Sequence, residues 1–268
     1  MNAPPDTDVL EALEVGDLRP LGRIVGSSNS AVLVEVTHGG TARLAIHKPI
    51  AFEAPLWDYP DGHLAYRERA AYLISAVADF AVVPATILRD GPWGAGSLQE
   101  WVGGPDDVPE LLVTVTDPDD VPDGWLVVLD GEDRDGQPVR LSHADDPALR
   151  STAVLDAVLN NSDRKGGHLV RVGGVVRGFD HGVSLGVEPK LRTVLWGWAG
   201  QPIPEADLTR LHTLAAALAE PDGTLSELSG LLTPAEIDAL TQRVAHLIRT
   251  GVHPHPTPNW PAIPWPPM

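Results

Sequence analysis

Three polar groups around a short hairpin are the most chemically suggestive feature of this chain. Residues 169–172 and 175–179 read as strands about a Gly173-Gly174 turn, with Asp163 and His168 before them and Asp180 at their end. A tight hairpin sets its outer ends side by side, so these three side chains are expected to converge. A carboxylate and an imidazole together can hold a divalent cation, and a further carboxylate can take a proton from an attacking hydroxyl. Asp163 ahead of Lys165-Gly166-Gly167 also fits an ordinary turn, and Asp180-His181-Gly182 an ordinary strand end. Taken alone, the hairpin leaves both readings open.

The first half adds phosphate chemistry. Gly26-Ser27-Ser28-Asn29-Ser30, between two expected strands, offers backbone N–H groups and hydroxyls able to cradle phosphate oxygens, although a polar hairpin turn has the same composition. Ala45-Ile46-His47-Lys48-Pro49 then sets a lysine at a strand end. The chain has three lysines (Lys48, Lys165 and Lys190) against sixteen arginines, so lysine at a strand end and again beside Asp163 is a selective use. Glu68, on the helix that follows, could pair with Lys48. Flanked by Arg67 and Arg69, it also fits a solvated helix charge.

The elements that must position these groups follow from periodicity. A helix is expected over 8–14, stopping before Gly16, then a meander with strands at 23–25, 31–36 and 42–47 and a Gly39-Gly40 turn. A helix over 63–77 turns Leu64, Tyr72 and Leu73 inward, and strands follow at 82–88 and 96–102. The acidic, Pro- and Gly-rich stretch 103–124 reads as a hinge between two lobes. Beyond it come strands at 125–129 and 139–141, a helix over 147–159, the Asn160-Asn161-Ser162-Asp163-Arg164 loop and the hairpin. The remainder reads as helical. Its best-marked helix has Thr233 as N-cap, Pro234 and Glu236 in its first turn, and Gly251 as its stop. Ile237, Leu240, Val244 and Leu247 form its apolar face. The Pro-rich run 252–268 is expected to pack Trp260 and Trp265 on the body. The design is α+β and two-lobed, with a β-rich part at 1–102 and a mostly helical part at 103–268.

In this order the motifs resemble the protein-kinase-like superfamily, and within it the phosphatidylinositol 3-/4-kinase group, above all the type II phosphatidylinositol 4-kinases. The matching stretches are Ala45–Pro49, the Gly96-Ser97-Leu98-Gln99-Glu100-Trp101-Val102 run, 155–164, Phe179-Asp180-His181-Gly182 and 196–202. The resemblance implies a two-lobed kinase-like fold that binds ATP with magnesium or manganese. Ser27, Ser28 and Asn29 would cover the phosphates, Lys48 would hold them, and Glu68 would orient Lys48. The backbone of Gln99, Glu100, Trp101 and Val102 would receive adenine. Asp163 would orient or deprotonate the acceptor hydroxyl, Arg164 would brace the loop, and Lys165 would add positive charge beside the transfer site. Asp180 would bind the metal. The family pattern wants Asn five positions after the catalytic Asp, where this chain has His168. That residue can ligate a metal through one nitrogen, or mark a pseudokinase. Nucleotidyl transfer on the same fold is a further alternative.

Composition narrows the acceptor and the setting. With 37 acidic against 19 basic residues the formal charge is -18, which repels nucleic acid and anionic bilayers. No cysteine is present, so thiolate sites and S-palmitoylation are excluded, and with them the anchor that the type II lipid kinases use. No basic-then-apolar leader opens the sequence, and Asp79 and Pro84 interrupt its most apolar stretch. A cytoplasmic phosphotransferase is expected, with no stable membrane association. Its acceptor would be a soluble small-molecule or protein hydroxyl.

Overall fold

The computed structural model describes residues 7–24, 31–60, 62–104 and 110–268. α1 (Thr7–Val15) leads into β1 (Asp17–Arg23), β2 (Val32–His38) and β3 (Thr41–Pro49); α2 (Leu64–Val77), β4 (Thr86–Gly91) and β5 (Gly94–Glu100) follow. The strands form one antiparallel sheet in the order β1-β2-β3-β5-β4. Gly39 and Gly40, at φ 56° and 79°, make the tight turn that pairs His38 with Thr41. Val32, Val34 and Val36 alternate inward from β2 and join Ala70, Ala71 and Ile74 of α2 in the core. The strand expected from 82 begins only at Thr86. Pro84 has no N–H to give a ladder, and the Val82 and Val83 amides donate instead to Ser75 Oγ.

The stretch 103–124 corrects the sequence reading. It holds β6 (Val113–Thr116), which pairs with β8 (Pro138–Ala144); β8 also pairs with β7 (Trp125–Glu132) to give a sheet in the order β6-β8-β7. Val113-Thr114-Val115-Thr116 is a β-branched run among acids, and Leu112 and Val113 are buried. α3 (Pro147–Leu159) starts from Asp146, whose Oδ1 accepts from the amides of Ala148 and Leu149, and ends on Asn160 at φ 51°. β9 (Leu169–Val172) and β10 (Val175–Gly178) form the expected hairpin. From Phe179 to Pro204 the chain is irregular rather than helical, apart from one 3-10 turn at Trp196–Trp198. Side chains hold it instead: Asn160 Nδ2 donates to the carbonyls of Gly186 and Glu188.

α4 (Glu205–Ala219), α5 (Thr224–Ser229) and α6 (Pro234–Thr250) complete the chain's helices. The α6 capping box forms as read, with Glu236 Oε2 accepting from the Thr233 amide at 2.9 Å. The other Glu236 oxygen pairs with buried Arg67, tying α6 to α2. Leu240, Val244 and Leu247 are buried and Ile237 is half-buried. One large hydrophobic cluster runs from the five-stranded sheet through α2 to α3, α4 and α6. A smaller one joins Leu112, Val113 and Leu141 to Leu149, Leu169, Val176 and Trp198. Trp260 stacks on Trp57, whereas Trp265 is 82% exposed, against expectation, and Ile263 is the residue of this stretch that packs on the smaller cluster. Among the described residues no helix is long and apolar enough to cross a membrane.

Candidate active site

Lys48 projects from β3 on the face opposite to buried Ala45 and His47, toward α2 and the end of the hairpin. Its Nζ pairs with Glu68 and lies 2.8 Å from Asp180 Oδ1. Burial opposes the ammonium charge, but the two carboxylates outweigh it and hold the Lys48 pKa above the usual lysine range. Glu68 is 2% exposed, and its second oxygen accepts the His181 amide at 3.0 Å. One helix carboxylate therefore fixes both the strand lysine and the 180–182 turn. Lys48 in turn pulls the Asp180 pKa well below the ordinary carboxylate value. Asp180 adopts φ 61°, the left-handed region that Asp and Asn enter more readily than other side chains, and this turn presents its carboxylate.

The loop after α3 is organised by Arg164. Its guanidinium is fully buried and grips Asp156 with Nε at 3.0 Å from Oδ2 and Nη2 at 2.9 Å from Oδ1. It also donates to the Phe179 carbonyl at 3.0 Å and lies 2.7 Å from His181 Nε2. An arginine keeps its proton, so His181 accepts this bond as neutral imidazole; burial likewise holds its pKa well below the usual value. Asn161 Oδ1 accepts the Asp163 amide at 3.0 Å. Asp156, Asn161 and His181 thus set the loop's shape, and the sequence reading assigned none of them that part.

Asp163 and His168 emerge from this frame. Lys165 Nζ lies 3.2 Å from Asp163 Oδ2. Burial raises the Asp163 pKa, Lys165 lowers it and Asp180 raises it, leaving a carboxylate more basic than usual. His168 Nε2 is 3.4 Å from Asp180 Oδ2, and burial drives its pKa down to about 4. Its Nδ1 is buried with no protein partner. The expected convergence of Asp180 with His168 is therefore present, and Lys48 joins them.

Beside these groups opens a cleft of about 430 Å³, lined by Ile46, Val102, Val113, Leu169, Phe179 and Met268 among others. Gln99, Glu100 and Trp101 also line it, but much of their polar capacity is taken. Gln99 Nε2 donates to Thr86 Oγ1, the Glu100 amide to Ala85 O, and the Trp101 amide to Leu44 O. Val102 carries the first amide of this run not engaged by the protein, among the described residues. Ser27, Ser28 and Asn29 lie outside the described residues. A larger cavity of about 600 Å³ between α3 and α6 shares no lining residue with the cleft.

A nucleotide-bound divalent ion needs few protein ligands, since phosphate oxygens and water supply the rest. Among the described residues no three His, Cys, Asp or Glu side chains gather to hold an ion unaided. The ionised Asp180 and the neutral, otherwise unpartnered imidazole of His168 fit the smaller requirement: one oxygen and one nitrogen donor on adjacent side chains.

No protein-family model matches the chain. A crystal structure of the Helicobacter pylori proinflammatory kinase CtkA aligns with 88% of this chain and 93% of that one, at 11% identity and a TM-score of 0.44. Protein Rv2133c of Mycobacterium tuberculosis H37Rv is 46% identical over 260 residues, spanning 94% of this chain and 92% of its own length. At that identity and coverage, the chain belongs to the family of mycobacterial protein Rv2133c.

Proposed function

We propose that the chain is a phosphotransferase that uses ATP with magnesium or manganese and phosphorylates a hydroxyl of a soluble small molecule or a protein. The observation that carries this reading is the Lys48–Glu68–Asp180 constellation, set at one end of an apolar cleft with Asp163 on the neighbouring loop. Lys48 would exchange Asp180 for phosphate oxygens while Glu68 keeps it aimed. The base of the nucleotide would occupy the apolar cleft and meet the Val102 amide. Asp180 and His168 would hold the ion, which when bound neutralises charge on the β- and γ-phosphates. Asp163, made more basic by burial, would take the proton as the acceptor oxygen bonds to the γ-phosphorus. The bond from that phosphorus to the bridging oxygen breaks, and ADP leaves with the electron pair. Arg164 touches none of the reacting atoms and acts by positioning.

A second reading, a nucleotide-binding module without transfer, is favoured by the Lys165–Asp163 ion pair, which already engages the would-be base, and by His168 in place of the family's Asn. The deciding experiment incubates the protein with ATP and either metal and identifies the nucleotide released. ADP, lost in Asp163→Asn, supports phosphoryl transfer; pyrophosphate points to nucleotidyl transfer. ATP binding with neither product, and no modification of the protein or of a cell extract, establishes the binding module.

A further inference from the structure

The segment 262–268 is fastened to the loop that bears Asp163. Thr193 bridges in parallel to Arg164 and donates its amide to Ala262 O at 3.2 Å. Trp196 Nε1 donates to the same carbonyl at 2.8 Å, and Arg192 Nη2 donates to Ile263 O at 3.1 Å. The last tie is the most consequential: the Gly166 amide, between Asp163 and His168 in the chain, donates to Pro267 O at 2.8 Å. Gly166 is buried, and a Cβ there would lie 2.7 Å from Met268 Sδ and 2.9 Å from Val113 Cβ. The missing side chain is what admits Met268.

Met268 lines the cleft shared with Ile46, Val102 and Phe179, and it also lines a second cavity of about 380 Å³ between the β6-β8-β7 sheet and the tail. It therefore stands as a partition between two open spaces. With Met268 in position the cleft still keeps about 430 Å³, within the range of about 300–1,000 Å³ typical of small-molecule sites. That geometry is a wall rather than a plug. A thioether is also a favourable neighbour for an aromatic ring.

We propose that this Pro-rich segment is part of the nucleotide site. Met268 is a wall of the base pocket, and the Pro267 carbonyl is a positioning group for the 163–168 loop. The proposal rests on the nucleotide reading of the cleft. Its ligand class is the planar base of a nucleoside triphosphate, met by apolar side chains and one sulfur.

The test uses Met268→Ala and a chain lacking residues 264–268. Magnesium-ATP and magnesium-tripolyphosphate are titrated into each by calorimetry, and hydrogen exchange is followed at 166–168. Met268→Ala should weaken ATP binding about tenfold, the scale of one lost apolar contact surface, and leave tripolyphosphate affinity unchanged. The shortened chain should lose, in addition, the exchange protection of the Gly166 amide and turnover. Unchanged ATP affinity in both variants would overturn the wall, and tighter binding in the shortened chain would make the segment a plug. Retained Gly166 protection would overturn the positioning role. Should the shortened chain not fold, Met268→Ala still decides the wall, and a chain lacking only residues 267–268, read by exchange at Gly166, decides whether the Pro267 carbonyl is needed. A native chain that binds tripolyphosphate but not ATP overturns the base pocket alone; one that binds neither overturns the nucleotide reading and this proposal together.

Discussion

The polar cluster beside the cleft and the cleft's own apolar walls are built on opposite principles. At the polar end, Lys48 pairs with Glu68 and Asp180, and Arg164 with Asp156, in buried or half-buried ion pairs. At the apolar end, Ile46, Val113, Leu169 and Met268 meet only through shape, with the last residue brought in from the far end of the sequence. Charge networks fail sharply when one member is removed, because the partner is left buried and unpaired. Apolar walls fail gradually, in proportion to the surface lost. The contrast teaches where chemistry and where selectivity should reside: geometry is held rigidly near Asp163, while the far wall can be reshaped at modest cost.

The sharpest break of this comparison is at Asp163. Asp163→Asn should lower turnover by about two to four orders of magnitude, the scale of a lost general base, with ATP affinity nearly unchanged. Parallel steady-state and calorimetric measurements check it, and an equal loss of binding and turnover would refute the assignment. Next in size is the frame. Asp156→Ala strands the Arg164 guanidinium, which is completely buried, and should cost about 3–5 kcal/mol in denaturant unfolding.

Acid should act on the fold through its buried histidines. In the unfolded chain they take up protons from about pH 6.5 downward. In the folded chain burial keeps His168 and His253 neutral to about pH 4 and lowers His181, His143 and His47 as well. The unfolded state then binds more protons, so stability is full above pH 6.5 and falls as pH drops toward 4. The loss should be on the order of a few kcal/mol, and His168→Gln should reduce it. Unfolding midpoints taken across that window would show it.

The smallest effect is expected at Lys165, whose ion pair with Asp163 is partly exposed. Lys165→Ala removes a charge that lowers the Asp163 pKa. The acid limb of the turnover profile should therefore move to higher pH. A shift to lower pH would mean that the limb belongs to another group.

Local signals in the sequence determined α6, the hairpin and most of the polar cluster. Thr233, Pro234, Glu236 and Gly251 bound α6 because capping is a contact between residues three or four apart. Lys48, Asp163, His168 and Asp180 stood out because strand ends and hairpin ends are set by period-two alternation and glycine turns. Expectation failed where long-range contacts override composition. The acidic run 103–124 looked like a hinge, yet Leu112 and Val113 supply an edge strand and part of a core that only β8 and Leu149 complete. Residues 180–204 looked helical, yet hydrogen bonds from Asn160 hold them irregular. Nothing in the sequence marks Asp156 and His181 as the partners of Arg164, or Met268 as a neighbour of the site. Their position depends on how α3, the hairpin and the tail pack together, a matter of close packing and buried charge that exists only once the tertiary structure has formed.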